Sequence, residues 1–299
     1  MPGWVADLFP EAIVAATRLS WGFTNETWAV SLRDGRRLAV TRIGQAGFSA
    51  PATDRLSAVR RVLASAGLPI PAPVLADAGA PWPTDVRVSE LVDGVAGAKL
   101  LADVDGARTV GGLCGAVARR LATIDGSGLG LSDLWADSDR LVRDCSIWVD
   151  SLSPDLSAEG RARLRAACGD LGKALAGRTA VVAHGDLVPV NILLRDRRLV
   201  ALLDLETIRL ADPLFDAGWF DQMVRFHHPE VRDVAWAAFV SAAAIDPDEP
   251  VTRTLLGLLP MARILEIHAG LSPGDPARAR WMEQLRLNRR WAGSIEPLI

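Results

Sequence analysis

The sequence predicts an α+β protein with two lobes, in which a small antiparallel sheet with one helix precedes a larger, mainly helical lobe. Three observations predict this class. The 299 residues exceed the usual size of a single hydrophobic core, which favours two domains. Strand patterns separated by turns occupy residues 17–43, and helical patterns prevail from about residue 108. Apolar residues make up 49% and charged residues 23% of the chain, as in ordinary folded proteins.

The first lobe is assigned to residues 1–92. Residues 1–16 read as a short helix. The stretch TRLSWGFTNETWAVSLRDGRRLAVTRIG predicts three antiparallel strands, because apolar and polar residues alternate and Asp34-Gly35 is a strong hairpin signal. Residues 54–66 recover a helical pattern that ends at a glycine. The prolines that follow require an extended exit, and the alternating VRVSE predicts one more strand.

The second lobe is assigned to residues 93–299, beginning where VRVSELVDGV breaks at Asp93-Gly94. Its helical patterns are interrupted by the segment VVAHGDLVPVNILLRDRRLVALLDLE, in which short apolar runs between turn residues predict strands. The run from Val234 to Ile245 predicts a buried helix, since it is too short to cross a bilayer.

Charge and cysteine content exclude several classes of protein. The formal net charge of −3 argues against a nucleic-acid partner, because phosphate binding favours a basic face. The opening segment has no basic residues before its apolar ones, so we expect a cytoplasmic protein without a secretory signal or membrane span. Cys114, Cys145 and Cys168 lack metal or disulfide spacing and are expected to be reduced and buried. The oligomeric state stays open.

Three polar residues follow or precede short strands within residues 181–206. Asp186 follows the apolar run Val181–Ala183, Asn191 opens a second strand, and Asp204 ends a third. Strand ends of a small hairpin meet at one edge, so these side chains are expected to lie together. Phosphoryl transfer uses this set of groups, because one carboxylate orients the attacking hydroxyl while an amide oxygen and a second carboxylate hold Mg²⁺ against nucleotide phosphates.

The spacing of these residues makes the signal specific. Asp186 and Asn191 are separated as in the catalytic loop of protein kinases, and Asp204 corresponds to the metal-binding Asp that follows it. Taken singly, each residue could instead cap a turn or end a strand. His184 is better explained as a structural histidine that fixes the loop than as a base, so it receives a supporting role.

The same residues resemble the aminoglycoside phosphotransferase superfamily, which includes antibiotic kinases and choline-type kinases. The resemblance lies in HGDLVPVNILL and in LLDLETIRLADPLFDAGWF. It implies a bilobal protein-kinase-like fold, Mg²⁺ as cofactor and ATP or GTP as co-substrate. The absence of Asp-Phe-Gly and Ala-Pro-Glu motifs points away from protein substrates. By resemblance Asp186 is catalytic with support from His184, Asn191 and Asp204 bind Mg²⁺, and Asp212 and Asp216 hold the following loop.

Resemblance also implies a nucleotide site in the first lobe. A turn after the first strand would bring backbone amides to the phosphates, Arg42 stands where the family often has a lysine, and the segment after the last strand would bind adenine through its backbone. The helix that should supply a Glu partner for Arg42 contains none, and Asp54 lies about half a turn early. The expected nucleotide-binding residues are Gly22, Phe23, Thr24, Asn25, Arg42, Ser89, Glu90, Leu91 and Val92.

The acceptor is expected to contact helices of the larger lobe. Carboxylates beside aromatic side chains favour a cationic antibiotic, such as an aminoglycoside or a viomycin- or capreomycin-type peptide, whose phosphorylation would give resistance. A macrolide and a choline-type amino alcohol remain alternatives, because an aromatic box also suits a single cation. A pseudokinase-like module that binds nucleotide without turnover is the alternative from another class. The expected acceptor-binding residues are Asp221, Glu230, Glu266, Trp219 and Phe226.

Overall fold

The computed structural model describes residues 1–19, 25–43, 53–74, 83, 85–152 and 156–288, and the chain divides into two compact units. The first unit contains the described residues up to Val95 together with Leu193–Leu203. The second contains Ala96–Ile192 and the described residues from Asp204 onward. The division at Val95 lies near the predicted lobe boundary, whereas the return of Leu193–Leu203 to the first unit is a feature that the sequence analysis did not predict.

The first unit is built on a four-stranded antiparallel sheet with strand order β1-β2-β3-β4. Strands β3 and β4 and the end of β2 alternate in burial, and their inward side chains contribute to a core that valines and leucines dominate. That alternation is the reason these segments form strands, since successive side chains point to opposite faces. The elements are α1 (Gly3–Leu8), β1 (Ile13–Leu19), β2 (Glu26–Leu32), β3 (Arg37–Arg42), α2 (Thr53–Ser65) and β4 (Val86–Glu90).

The N-terminal segment differs from its prediction. The expected helix over residues 1–16 ends at Leu8, and Ile13–Leu19 is a strand that pairs with β2. Glu11 takes the left-handed conformation between the two elements, with φ of 58°. Pairing along the edge of the sheet decides the conformation of Ile13–Leu19, and tertiary context commonly overrides local propensity.

A hairpin that belongs to the first unit lies far along the chain. β5 (Val95–Ala96), β7 (Ile192–Arg195) and β8 (Arg198–Leu202) form a three-stranded sheet in the order β5-β7-β8. Asp196 and Arg197, in its turn, have φ of 52° and 59°, as the tight turns that suit twisted strands require. The amide of Leu202 donates to the carbonyl oxygen of Pro69 at 2.8 Å, which attaches the hairpin to the predicted extended exit.

The second unit is mainly helical. Strand β6 (Val181–Ala183) pairs with β9 (Arg209–Ala211), and helices surround this short ribbon. No helix among the described residues is long and apolar enough to cross a membrane. The helices are α3 (Gly97–Leu100), α4 (Val104–Leu121), α5 (Ser138–Ser151), α6 (Ala158–Leu175), α7 (Phe215–His227), α8 (Arg232–Ala243), α9 (Pro250–Gly270) and α10 (Ala277–Leu287).

Two sequence predictions about buried residues have different outcomes. Cys114, Cys145 and Cys168 are all buried and free, which confirms that expectation. The predicted buried helix over residues 234–245 corresponds to α8, which buries only one face, through Ala235, Trp236 and Phe239. The alanines of α8 explain the difference, since Ala237 is exposed and Ala238, Ala242 and Ala243 are only partly buried, and alanine is apolar and a strong helix former yet costs little when it faces water.

Helices α4 and α8 pack with their backbones in close contact. A Cβ atom added to Gly111 would lie 2.0 Å from the carbonyl oxygen of Ala235, and one added to Gly115 would lie 2.3 Å from that of Phe239. The two glycines are four residues apart and therefore share one face of α4. Gly112 lies off this face, and a Cβ there would meet no atom within 4 Å.

We expect Gly111→Ala to destabilise the protein, because the added methyl group overlaps a backbone oxygen that cannot move without shifting α8. Overpacking of this kind costs about 1–3 kcal/mol. Gly112→Ala is the matched control and should be neutral or stabilising by up to about 1 kcal/mol, since alanine favours a helix over glycine. Thermal or urea unfolding of the two variants measures the difference. Equal stability of both would contradict the proposed close packing.

Candidate active site

The loop that carries Asp186 is held between two strands of one ribbon. Val182 of β6 lies opposite Leu210 of β9, and Ala183 lies opposite Arg209. The loop leaves β6 at His184, and the chain reaches β9 shortly after Asp204. Pairing of β6 with β9 therefore brings the two separated parts of the sequence motif together within the second unit.

Asp216 fixes the backbone of the loop from the first turn of α7. Its two carboxylate oxygens accept hydrogen bonds from the amides of His184 and Gly185, at 2.8 and 3.0 Å. Burial raises the pKa of Asp216, and the interactions with His184 and Gly185 oppose that shift. A buried carboxylate with both oxygens bonded to backbone amides is a stable anchor, because neither partner has water as an alternative.

Gly185 is required by the shape of the same loop. Its φ is +85°, and a Cβ atom there would lie 2.1 Å from the carbonyl oxygen of Thr207, so no other residue fits without moving the chain. The hydroxyl of Thr207 donates to the carbonyl oxygen of His184 at 3.1 Å. His184 itself is fully buried, and its Nδ1 accepts from the amide of Asp186 at 3.3 Å, which is a loop-shaping contact.

The Asp186 carboxylate is oriented by two side-chain donors. Trp219 Nε1 donates to Oδ1 at 2.7 Å, and Asn191 Nδ2 donates to Oδ2 at 2.9 Å. Asn191 Nδ2 also donates to the Asp186 carbonyl oxygen at 2.9 Å. Asp186 is partly exposed, so a carboxylate in a fixed orientation remains accessible to a reactant.

Asn191 and Asp204 suit the predicted magnesium site by their chemistry. Because Asn191 uses its amide nitrogen on Asp186, its amide oxygen points away from that carboxylate. Burial, followed by the charges of Glu206 and Asp186, raises the pKa of Asp204 well above its ordinary value, a shift that a bound divalent cation would reverse. Among the described residues, no group of three or more His, Cys, Asp or Glu is arranged to hold a metal.

Asp204 itself has an unusual backbone conformation. It takes the left-handed region with φ of 59° and ψ of 55°, directly before the 3-10 turn Leu205–Thr207. Asp tolerates this region better than most residues do. The conformation lets the chain turn sharply from β8 toward Thr207, which contacts the Asp186 loop.

A group of two buried guanidiniums and one partly buried carboxylate lies next to the loop. Arg209 bonds both oxygens of Glu266, at 3.2 and 3.0 Å, and Arg263 also donates to Glu266. Arg209 Nε donates to the carbonyl oxygen of Thr207 at 3.0 Å. Burial lowers the pKa of Arg209 to about 10. Burial opposes ionisation of Glu266, yet Arg263 and Arg209 hold its pKa below the ordinary value.

Asp212 stabilises the entry to α7. Its Oδ1 accepts from the amide of Leu214 at 2.9 Å, and its Oδ2 accepts from Arg178 Nε at 2.5 Å. The resemblance assigned Asp212 and Asp216 to holding the segment after Asp204. In the structure Asp212 contacts the turn before α7, and Asp216 contacts the loop that carries Asp186.

The nucleotide-binding residues expected in the first unit are only partly described. Gly22, Phe23 and Thr24 lie outside the described residues, and Asn25 directly precedes β2. Arg42, at the end of β3, pairs with Asp85 at 2.7 Å and lies over the ring of Trp4. About half of the Arg42 side chain is exposed, so the ion pair is a weak one. The side chain of Asp54, which sequence reasoning considered as the partner of Arg42, lies outside the described residues, and Asp85 is the partner that the structure describes.

In the segment expected to bind adenine, two backbone amides already donate hydrogen bonds to other parts of the chain. The amide of Glu90 donates to the Ala72 carbonyl oxygen and that of Leu91 to the Arg37 carbonyl oxygen, both at 2.9 Å. Ser89 lies within β4 opposite Ala39 of β3. An adenine contact would have to use the backbone of Val92 or the carbonyl oxygens of the segment. Fewer backbone groups of residues 89–92 can therefore bind adenine than the sequence analysis expected.

The carboxylates expected to bind the acceptor differ in burial and in whether arginines pair with them. Asp221 is buried, and its oxygens accept from Arg225 at 2.8 Å and from Arg232 at 2.5 Å. Glu266 is bonded to two arginines, as described above. Both carboxylates were expected to bind acceptor amines, and in the structure both are already paired with arginines, pairs that are costly to break. Glu230, by contrast, has a side chain that is 64% exposed and lies 4.0 Å from His228.

The two aromatic residues expected to bind the acceptor also differ in exposure. Trp219 is only 2% exposed and directs its indole N–H at Asp186, so it offers little surface to an acceptor. Phe226 is partly exposed at the end of α7, where it meets His227 edge-on and lies beneath Arg280. Sequence reasoning missed the contact of Trp219 with Asp186. The signal was that Trp219 follows Asp216 by three residues and so shares its helix face.

With this geometry established, comparison with known proteins defines the class. A family model described as "Phosphotransferase enzyme family" matches residues 15–254. The chain therefore belongs to the phosphotransferase enzyme family and is a nucleotide-dependent phosphotransferase that acts on a small molecule. This confirms the family membership that the resemblance of HGDLVPVNILL predicted. No curated protein matches the sequence significantly.

Solved structures support the fold. An ADP-bound aminoglycoside phosphotransferase, APH(2'')-Ib, is 14% identical with a TM-score of 0.63, covering 94% of this chain and 93% of its own. A choline/ethanolamine kinase family protein from Mesorhizobium loti is 19% identical with a TM-score of 0.67, covering 96% and 90%. A macrolide 2'-phosphotransferase type I is 14% identical with a TM-score of 0.61, covering 95% and 94%. The predicted α+β kinase-like fold is thereby confirmed.

We expect Asp216→Asn to lower both stability and turnover. Asparagine has one acceptor oxygen, so one of the amides of His184 and Gly185 would face an NH₂ group and stay unpaired. A buried unpaired donor costs about 1–3 kcal/mol. Asp233→Asn, on the exposed first turn of α8, is the matched control and should leave both properties unchanged. Thermal unfolding together with steady-state kinetics measures the effect, and parental values for Asp216→Asn would contradict the anchoring role.

Proposed function

We propose that the protein transfers the γ-phosphoryl group of ATP or GTP to a hydroxyl group of a small molecule, with Asp186 as the catalytic carboxylate. The observation that carries this proposal is the orientation of Asp186. Its two oxygens accept from different donors, Trp219 and Asn191, on a loop whose backbone is anchored by Asp216. Positioning of this kind is the main contribution of a protein to phosphoryl transfer.

The proposed reaction uses the Asp186 carboxylate as the proton acceptor. The acceptor hydroxyl donates a hydrogen bond to a carboxylate oxygen, and its own oxygen attacks the γ-phosphorus. As the new O–P bond forms, the P–O bond to the leaving nucleoside diphosphate breaks, and the hydroxyl proton passes to Asp186 and then to solvent. Both donors of Asp186 are neutral N–H groups, and each carboxylate oxygen retains a lone pair that can accept the hydroxyl proton.

We also propose that Asn191 and Asp204 hold Mg²⁺ through the amide oxygen and the carboxylate. Hard divalent cations favour such oxygen ligands together with substrate phosphates. When bound, the ion neutralises phosphate charge that increases during transfer. The raised pKa of Asp204 in the protein alone supports the assignment, because a cation would offset the repulsion from Glu206 and Asp186.

For the acceptor, we propose a hydroxyl-bearing small molecule without a requirement for several positive charges. The cationic-antibiotic hypothesis relied on three carboxylates, and two of them, Asp221 and Glu266, are occupied by arginines. Glu230 remains exposed and supports one cation at most. The similar structures include kinases named for aminoglycosides, macrolides and choline or ethanolamine, so an amino alcohol and a macrolide enter the test on equal terms with an aminoglycoside.

The first test measures phosphoryl transfer by Asp186→Asn with a panel of aminoglycosides, tuberactinomycin peptides, macrolides and amino alcohols. Mass spectrometry identifies the phosphorylated product for the parent protein. We expect the variant to lose about 10²–10⁴-fold in kcat, the usual contribution of a positioned acid–base group, with nearly unchanged nucleotide affinity. Asp170→Asn, on an exposed part of α6, is the control and should retain the parental kcat.

Three outcomes separate the hypotheses. Turnover of Asp186→Asn within about tenfold of the parent would contradict the catalytic role. Nucleotide binding without turnover by the parent, for every acceptor and with both ATP and GTP, would favour a non-catalytic nucleotide-binding module. Modification confined to polycations would restore the antibiotic hypothesis and would place the cation contacts outside Asp221 and Glu266.

The magnesium assignment is tested with Asp204→Asn. Asparagine tolerates the left-handed backbone, so the fold is retained, while loss of one negative charge weakens a hard-cation site. We expect a strongly reduced affinity for Mg²⁺–nucleotide in calorimetric titrations and little change for nucleotide in EDTA. Asp196→Asn, at an exposed turn with a similar φ of 52°, is the matched control. Equal Mg²⁺–nucleotide affinity for the parent and Asp204→Asn would reject Asp204 as a ligand.

A further inference from the structure

We propose that Trp219 is a positioning residue for the reaction, whose indole N–H fixes the rotamer of the Asp186 carboxylate. The inference rests on the proposed role of Asp186 and assigns to Trp219 a different task from acceptor binding. Trp219 Nε1 lies 2.7 Å from Asp186 Oδ1, a short distance typical of a hydrogen bond to an ionised acceptor.

The carboxylate is restrained because its two oxygens have separate donors on different elements. Trp219 belongs to α7, and Asn191 ends the 3-10 turn Pro189–Asn191 that follows the catalytic loop. Rotation of the carboxylate about its Cβ–Cγ bond would break both hydrogen bonds at once. Each oxygen keeps a further lone pair, so the oriented carboxylate can still accept a hydrogen bond from the acceptor hydroxyl.

The indole is itself held in place by two side chains. The ring of Trp281 on α10 stacks on it with 6.0 Å between centroids and 22° between planes. Arg263 of α9 places its guanidinium 5.9 Å from the indole centroid, a cation–π geometry, and is bonded in turn to Glu266. Because Trp219 is almost fully buried, the N–H has a fixed direction.

These supporting residues lie beyond the part of the chain that the family model matches. The match ends at residue 254, whereas Arg263, Glu266 and Trp281 follow it on α9 and α10. The C-terminal helices therefore contribute to the orientation of Asp186 through Trp219. A role limited to filling the core would need the ring of Trp219 but not its N–H, and this difference provides the test.

The first experiment replaces Trp219 with β-(3-benzothienyl)alanine, in which sulfur takes the place of the indole N–H. The ring keeps its size, so packing is preserved while the donor is lost. We expect kcat to fall by about tenfold to hundredfold, as for loss of one hydrogen bond to a charged group, with the nucleotide KM unchanged. The same replacement at Trp236, a buried residue of α8, is the control. A parental kcat for the Trp219 variant would overturn the proposal.

A second experiment does not depend on turnover. The indole ¹H–¹⁵N resonance of Trp219, identified by its loss in Trp219→Phe, should lie downfield in the parent and move upfield in Asp186→Ala. The other tryptophan resonances report whether that variant is folded, and Asp170→Ala is the control. An unmoved resonance would show that the hydrogen bond is absent and would reject the inference. If no acceptor is phosphorylated, the proposed function fails, and this measurement still decides the contact.

Discussion

The site depends on one buried carboxylate and on the two backbone amides that donate hydrogen bonds to it. Asp216 lies at the start of α7 and is bonded to the amides of His184 and Gly185, so the helix and the loop cannot move apart without leaving a buried anion unpaired. Such a loss costs more than a surface ion pair contributes, since no water replaces the missing donors. The position of α7, and with it that of Trp219, is therefore coupled to the catalytic loop.

The Arg209–Glu266–Arg263 group adds a second constraint of a different kind. Two guanidiniums share one carboxylate, so the group has a net positive charge inside the second unit. Arg209 also bonds the backbone of Thr207, which contacts His184. Ion pairs of this type add little net stability because desolvation offsets attraction, but removal of one member leaves an unpaired charge. Their effect is to fix one arrangement of the loop relative to α9.

Much of the fold and the centre of the site could be predicted because the signals are local. Asp186 and Asn191 lie five residues apart, and the hairpin at Asp34-Gly35 depends on two adjacent residues. The contact of Trp219 with Asp186 and that of Arg209 with Glu266 join residues 33 and 57 positions apart, so local sequence does not reveal these pairs, although the spacing of Asp216 and Trp219 places both on one face of α7. The first half of β1, residues 13–16, was predicted as helix for the same reason, since this segment becomes a strand by pairing with β2.

The acceptor prediction shows why counting charged residues along a helix overstates the charge that a ligand meets. Asp221 was expected to bind an amine, but Arg225 follows it by one helical turn and Arg232 reaches it from the start of α8. A carboxylate paired on both oxygens presents no net attraction to a further cation. If Asp186 orients the acceptor hydroxyl, as proposed, recognition of the acceptor would rely on shape and on hydrogen bonds near that carboxylate. A site of this kind would select by the position of one hydroxyl group, which suits acceptors that differ widely in overall charge.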